Sequence, residues 1–129
     1  MSKTNQNLGR EGEDLACDFL RKAGYGIIAR NYRTRAGEID IIASDKEITC
    51  FIEVKTRRQS KFGSPQEAVV NIKKRHMAKA ATYYLVQHNM LDSLCRFDVV
   101  SVDLTRDPAG IELIKCAFQL DENNEVSDV

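Results

Sequence analysis

No stretch of this 129-residue sequence approaches the roughly 20 apolar residues that a membrane-spanning helix needs, so no membrane segment is expected. The opening MSKTNQNLGREGED has no apolar core, so a secretory leader is not expected either. The four cysteines, Cys17, Cys50, Cys95 and Cys116, are far apart and form no CxxC pair. Their spacing argues against zinc or disulfides and for small buried hydrophobes in a reducing, cytoplasmic setting. Repeats and internal linkers are absent, so residues 1–120 are expected to form one domain. Residues 121–129 carry four acids and no basic residue, and are expected to be a disordered tail.

Net charge is lacking as well, with 19 Lys and Arg against 19 Asp and Glu, but the distribution is uneven. Between Arg30 and Lys79 there are 12 basic and 6 acidic residues; from Asp92 onward there are 3 and 9. A basic middle suits a phosphate-binding surface, although many such clusters are only solvated faces. At 43% hydrophobic the chain is too apolar to be disordered along its length.

Leu15, Ala16, Phe19, Leu20 and Ala23 recur at helical spacing, which predicts a helix over 8–23 stopped by Gly24. YGIIARNYR reads as a first strand. AGEIDIIASDKEITCFIEVKTR reads as two more strands around a polar turn, followed by the basic loop TRRQSKFG. Ser64, Pro65 and Glu67 then supply an N-cap, a first-turn proline and a capping-box acid for a helix running to about Gln87. RFDVVSVDL and IELIKCAFQL give strands four and five. The order α-β-β-β-α-β-β predicts an α/β fold whose five-stranded sheet is mixed, because the second helix is long enough for a parallel crossover.

The hairpin from Ala36 to Arg57 holds charges where apolar residues are expected, and burying an unpaired charge is costly. Alternation puts Glu38, Asp40 and Ile42 on one face, with Ile39, Ile41 and Ala43 on the other. In the third strand Thr49, Phe51, Glu53 and Lys55 share a face. With the turn centred on Asp45 and Lys46, Asp40 lies opposite Phe51 and diagonal to Glu53, so the two carboxylates converge. Converging carboxylates repel unless a cation lies between them, and Mg²⁺ or Mn²⁺ prefers such oxygen ligands. Lys55 on the same face is suited to orient a water and steady negative charge. Such a set fits phosphodiester hydrolysis. The competing reading is a salt-bridged hairpin.

Glu13 falls on the apolar stripe of the first helix and is a third candidate acid; the alternative is a dipole-favoured first-turn acid. In the second helix Lys73 and His76 fall on the buried face of Val69, Ile72, Met77, Ala80 and Tyr84. Lys73 either contacts phosphate or snorkels to water, and His76 either does chemistry or is a hydrogen-bonded, partly buried histidine.

GREGEDLACDFLRKAGY, ARNYRTRAGEIDII, FIEVKTR, FGSPQEAV and RFDVV closely resemble the YraN family of small bacterial proteins. That family is similar to the PD-(D/E)XK nucleases, especially the Holliday junction resolvases. The resemblance implies a restriction-endonuclease-like fold, a central mixed sheet flanked by helices. It implies Glu13, Asp40 and Glu53 as the acids, Lys55 as the lysine of the ExK motif, and the Val54 carbonyl as a further metal ligand. Ile39 stands where the family pattern has proline. The resolvase likeness also implies a homodimer.

The leading expectation is a Mg²⁺- or Mn²⁺-dependent DNA endonuclease acting on branched DNA. Arg33, Arg35, Arg57, Arg58 and Lys73 would hold backbone phosphates, giving salt-sensitive affinity with little sequence preference. The alternatives are a non-catalytic nucleic-acid-binding module of the same fold, and a structural domain whose hairpin charges form salt bridges.

Overall fold

The computed structural model describes residues 5–58, 67–120 and 126–127. The order is α1 (Asn5–Lys22), β1 (Gly26–Arg33), β2 (Glu38–Asp45), β3 (Ile48–Arg57), α2 (Glu67–Gln87), β4 (Cys95–Asp103), β5 (Gly110–Leu120) and the two-residue β6 (Val126–Ser127). Ser64 and Pro65, the expected cap of α2, lie outside the described residues. So does the tail, apart from β6, which pairs antiparallel with the end of β5.

The first five strands form a mixed sheet in the order β1-β2-β3-β4-β5. Every neighbouring pair is antiparallel except β3 and β4, which run parallel because α2 carries the chain back between them. The α/β class, the element order and the mixed five-stranded sheet all match the sequence reading.

The helices cover opposite faces. Ala16, Cys17 and Leu20 of α1 pack on Ile41, Ala43, Cys50, Ile52, Val100 and Val102. Met77, Ala80, Ala81, Tyr84 and Leu85 of α2 pack on Ile39, Ile42 and Phe51. Gly24 ends α1 in the left-handed region at φ 96°. Two glycines fix how closely the helices approach. A Cβ at Gly12 would overlap the Thr56 hydroxyl, which holds α1 tight against β3. A Cβ at Gly37 would overlap the His76 carbonyl oxygen, which holds the β1–β2 turn against α2.

Two details of the hairpin differ from the sequence reading. The turn residues are Lys46 and Glu47, with Asp45 paired to Ile48, one step later than expected. A two-residue hairpin turn needs a positive φ, and Lys46 takes it at 57° with no Gly or Asn to signal it. The register therefore runs Ile42↔Phe51 and Ile41↔Ile52. Its continuation sets Asp40 opposite Glu53 rather than Phe51. The partner moves by two residues, so the shared face survives.

The second difference is a break in alternation. Ile39 was expected with Ile41 and Ala43, but it packs with Ile42 on the α2 side. In β1, Ala29 and Tyr32, three apart, also both pack on that side. Asn31 lies between the pairs Arg30↔Ile41 and Tyr32↔Ile39, hence across from Asp40, and it is left-handed at φ 51°. That one rotated residue turns both strands over locally and leaves Asp40 committed to neither core.

Candidate functional site: an acidic cleft between the helices

Asp40 lines two cavities. One, of about 240 Å³, is formed with Gly37, Glu38, Glu53, His76 and Met77 on the α2 side. The other, of about 480 Å³, includes Glu13, Asp14, Arg30 and Asn31 on the α1 side. The break at Asn31 and Asp40 explains why one carboxylate reaches acids from both directions.

The ladder between β2 and β3 ends at Ile41↔Ile52. Beyond it the Val54 N–H donates to Asp40 Oδ2 at 2.8 Å. That bond anchors the carboxylate. Burial pushes the Asp40 carboxyl up to about 6; the Val54 amide opposes the rise, and the negative charge of Glu13, Glu53 and Glu38 adds to it. Glu53 Oε2 is buried and has no hydrogen-bond partner among the described residues. Such an orphan costs on the order of 1–3 kcal/mol, more when charged.

Glu13 belongs to the site as α1 presents it. Its side chain is 16% exposed and lies 3.9 Å from Arg30 Nη2, which bonds Asp14 at 2.7 Å. Among the described residues, no three of His, Cys, Asp and Glu form a ready-made metal cluster. Asp40 and Glu53 line one cavity as a pair. Mg²⁺ is commonly bound by one or two carboxylates, waters and substrate phosphates, so a pair with an unbonded oxygen fits it. Lys55 is exposed two residues beyond Glu53. Val54 meets Asp40 through its N–H.

The basic candidates divide. Arg33 and Arg35 line a groove with Lys79 and Tyr83 beside the cleft, and Arg33 also pairs with Glu38 at 3.4 Å. Arg58 lines a separate cavity with Arg106 and Pro108 on the α1 side, with its Nε buried and without a hydrogen-bond partner among the described residues. Arg57 lies beside Asp103, whose carboxyl is held down chiefly by hydrogen bonds from Thr105 and further by Arg57. The side chain of Lys73 lies outside the described residues. His76 is not on the buried face of α2 as expected: it is exposed and lines the wall of the acidic cavity.

Sequence reasoning missed Glu38 and Arg30 as members of the site. Glu38 was legible, since it shares a strand face with Asp40. Arg30 was not, because its partners are 16 and 17 residues away on another element.

A second charged cluster was also missed. Asp98 is fully buried on the α1 face. Arg96 Nε donates to both its oxygens, at 2.8 and 3.0 Å, and the Cys116 N–H donates at 3.0 Å. Arg96 Nη2 reaches the Tyr25 hydroxyl at 2.8 Å and Asp45 at 3.3 Å. Of the cysteines, Cys17 and Cys50 are buried hydrophobes as expected, but Cys95 and Cys116 are exposed; all four are free. No described helix is long and apolar enough to cross a membrane.

A family model described as "Uncharacterised protein family UPF0102" matches residues 12–102, a span that holds Glu13, Asp40, Glu53, Lys55 and Asp98. A UPF0102 protein of Geobacter metallireducens is 44% identical over 120 residues, covering 93% of this chain and 98% of its own. One of Syntrophus aciditrophicus is 49% identical over 121 residues, covering 92% and 94%. One of Clostridium perfringens is 43% identical over 122 residues, covering 93% and 100%.

Proposed function

The chain belongs to the UPF0102 family, the YraN family of the sequence reading, and we propose that its acidic cleft hydrolyses phosphodiester bonds in DNA with a divalent cation. The observation that carries this reading is the pairing of a buried, unpartnered Glu53 oxygen with an Asp40 carboxyl raised to about 6, in one open cavity. Two acids that line one open cavity, one of them with its carboxyl pushed up by burial, are expected where a charge-changing ligand binds. The mixed sheet with a helix on each face is consistent with a restriction-endonuclease-like fold.

Asp40 and Glu53, with the Val54 carbonyl and Glu13 in support, would hold Mg²⁺ or Mn²⁺. Such an ion supplies Lewis acidity at a phosphoryl oxygen and a more acidic water. The chain's own residues do the rest. The Val54 amide fixes the Asp40 carboxylate, so its orientation is set before substrate arrives. Lys55 orients the attacking water and balances negative charge that develops on the phosphate. Arg33, Arg35, Arg57, Arg58 and Lys73 hold backbone phosphates. Branched DNA such as a four-way junction, cut by a homodimer, is the substrate favoured by the resolvase likeness. The free cysteines suit a cytoplasmic setting.

The test is cleavage of labelled four-way junction, flap, single strand, duplex and RNA, with and without Mn²⁺. Wild type is expected to cut DNA only with the metal, and Glu53→Ala and Lys55→Ala to lose about 100-fold or more. Cutting that persists in both variants would refute the site. Binding with no cutting on any substrate would leave the non-catalytic module as the function.

A further inference from the structure

Beside the acidic cleft lies a groove of about 620 Å³ lined by Arg33, Thr34, Arg35, Ala36, Lys79 and Tyr83. Its described lining holds three cations and no acid. The β1–β2 turn that supplies the arginines is rigidly built. Thr34 Oγ1 accepts the N–H groups of Ala36 and Gly37 at 3.1 Å each, and the Thr34 N–H donates to the Gly37 carbonyl at 2.8 Å. Because Gly37 lies against the backbone of His76, this turn is held on α2. Residues 76, 79 and 83 are spaced by three and four, so His76, Lys79 and Tyr83 form one stripe along the helix. The stripe runs from the acidic cavity to the groove, about 10 Å in all.

Two adjacent tyrosines show what is unusual there. Tyr84 is buried, edge-on to Tyr32 and Phe51. Tyr83 is 50% exposed, and its hydroxyl accepts a hydrogen bond from Gln87 at 2.8 Å. An aromatic face held in place among three cations matches a nucleotide: base on the ring, phosphates on Arg35 and Lys79.

We infer that this groove is a stacking subsite for an unpaired DNA base, with Tyr83 as the platform and Lys79 and Arg35 as phosphate holders. Bases within a duplex have both faces covered by their neighbours; a base in a single-stranded arm or at a junction does not. The subsite therefore selects DNA with an unpaired nucleotide near the acidic pair. The choice of DNA as ligand rests on the proposed nuclease reading; the subsite itself is tested by binding alone.

In EDTA, where no metal-dependent cutting occurs, the full chain is titrated against a short single strand carrying 2-aminopurine and against a blunt hairpin duplex. Wild type should prefer the single strand and quench the fluorescent base. Tyr83→Ala should lose the quenching and weaken single-strand binding about tenfold, with duplex binding changed less than twofold. Tyr83→Phe should behave as wild type, and unchanged melting of both variants would show that the fold is intact. Equal weakening on both DNAs, no weakening, or no binding by wild type overturns the subsite. Loss of discrimination alongside metal-dependent cutting would sink the subsite and spare the nuclease. Tyr83-dependent discrimination with no cutting of any DNA would support the subsite and sink the nuclease.

Discussion

Asp98, wholly buried, and Asp40, half-buried, are carboxylates on one sheet, two strands apart, and they are treated in opposite ways. Asp98 receives two bonds from Arg96 and one from a backbone amide, and Arg96 is itself tied to Tyr25 and Asp45. Asp40 receives one amide bond and faces three acids. Its neighbour Glu53 keeps a buried oxygen with no partner among the described residues. The fold is thus able to satisfy a wholly buried acid, and at Asp40 it does not. An incomplete shell in an open cavity is what a site awaiting a cation requires; a complete shell in a closed core holds strands together.

The largest effect should come from opening the closed cluster. Asp98→Ala leaves the Arg96 charge, whose side chain is 11% exposed, with only its 3.3 Å ion pair to Asp45 among the described residues, and leaves the Cys116 amide without its acceptor. It should cost about 3–5 kcal/mol in urea unfolding. A loss below ~1 kcal/mol would erase the contrast between the two acids.

Asp40→Asn should do the reverse. The folded carboxyl titrates near 6, above its ordinary 3.8, so its charge opposes folding. Wild-type stability should fall as pH rises from about 4 through 6 and level off above. The Asn variant keeps an acceptor for Val54 and lacks that loss. It should match wild type near pH 4 and exceed it by about 1–3 kcal/mol at pH 8 without metal. Equal stability at both pH values would mean that Asp40 is not under strain.

The smallest effect sharpens the contrast from α1. Glu13→Gln removes one of the charges that raise Asp40, so the Asp40 carboxyl should titrate lower when followed by ¹³C NMR. An unmoved titration would detach Glu13 from the site.

Much of this was readable in the sequence, for a physical reason. The first helix announces itself by 3.6-residue spacing and the second by its Ser64, Pro65 and Glu67 start, and the shared face of Asp40 and Glu53 survives a turn error because the error moves the partner by two. What was not readable depends on backbone turns or distant partners. Asn31 adopts a left-handed φ inside a strand, and the only mark of it in GIIARNYR is that asparagine tolerates this conformation better than most residues. The Arg96–Asp98 cluster is completed by Tyr25, 71 residues from Arg96. The spacing RFD shows only that the two charges share a strand face. The cavity wall at His76 required knowing how closely Gly37 approaches α2.

The most direct measurement is the thermal midpoint with and without Mn²⁺ in wild type, Asp40→Asn and Glu53→Gln at pH 8. If the unsatisfied pair is a cation site, the metal raises the wild-type midpoint and leaves both variants unmoved. An equal rise in all three, or none in wild type, would contradict it.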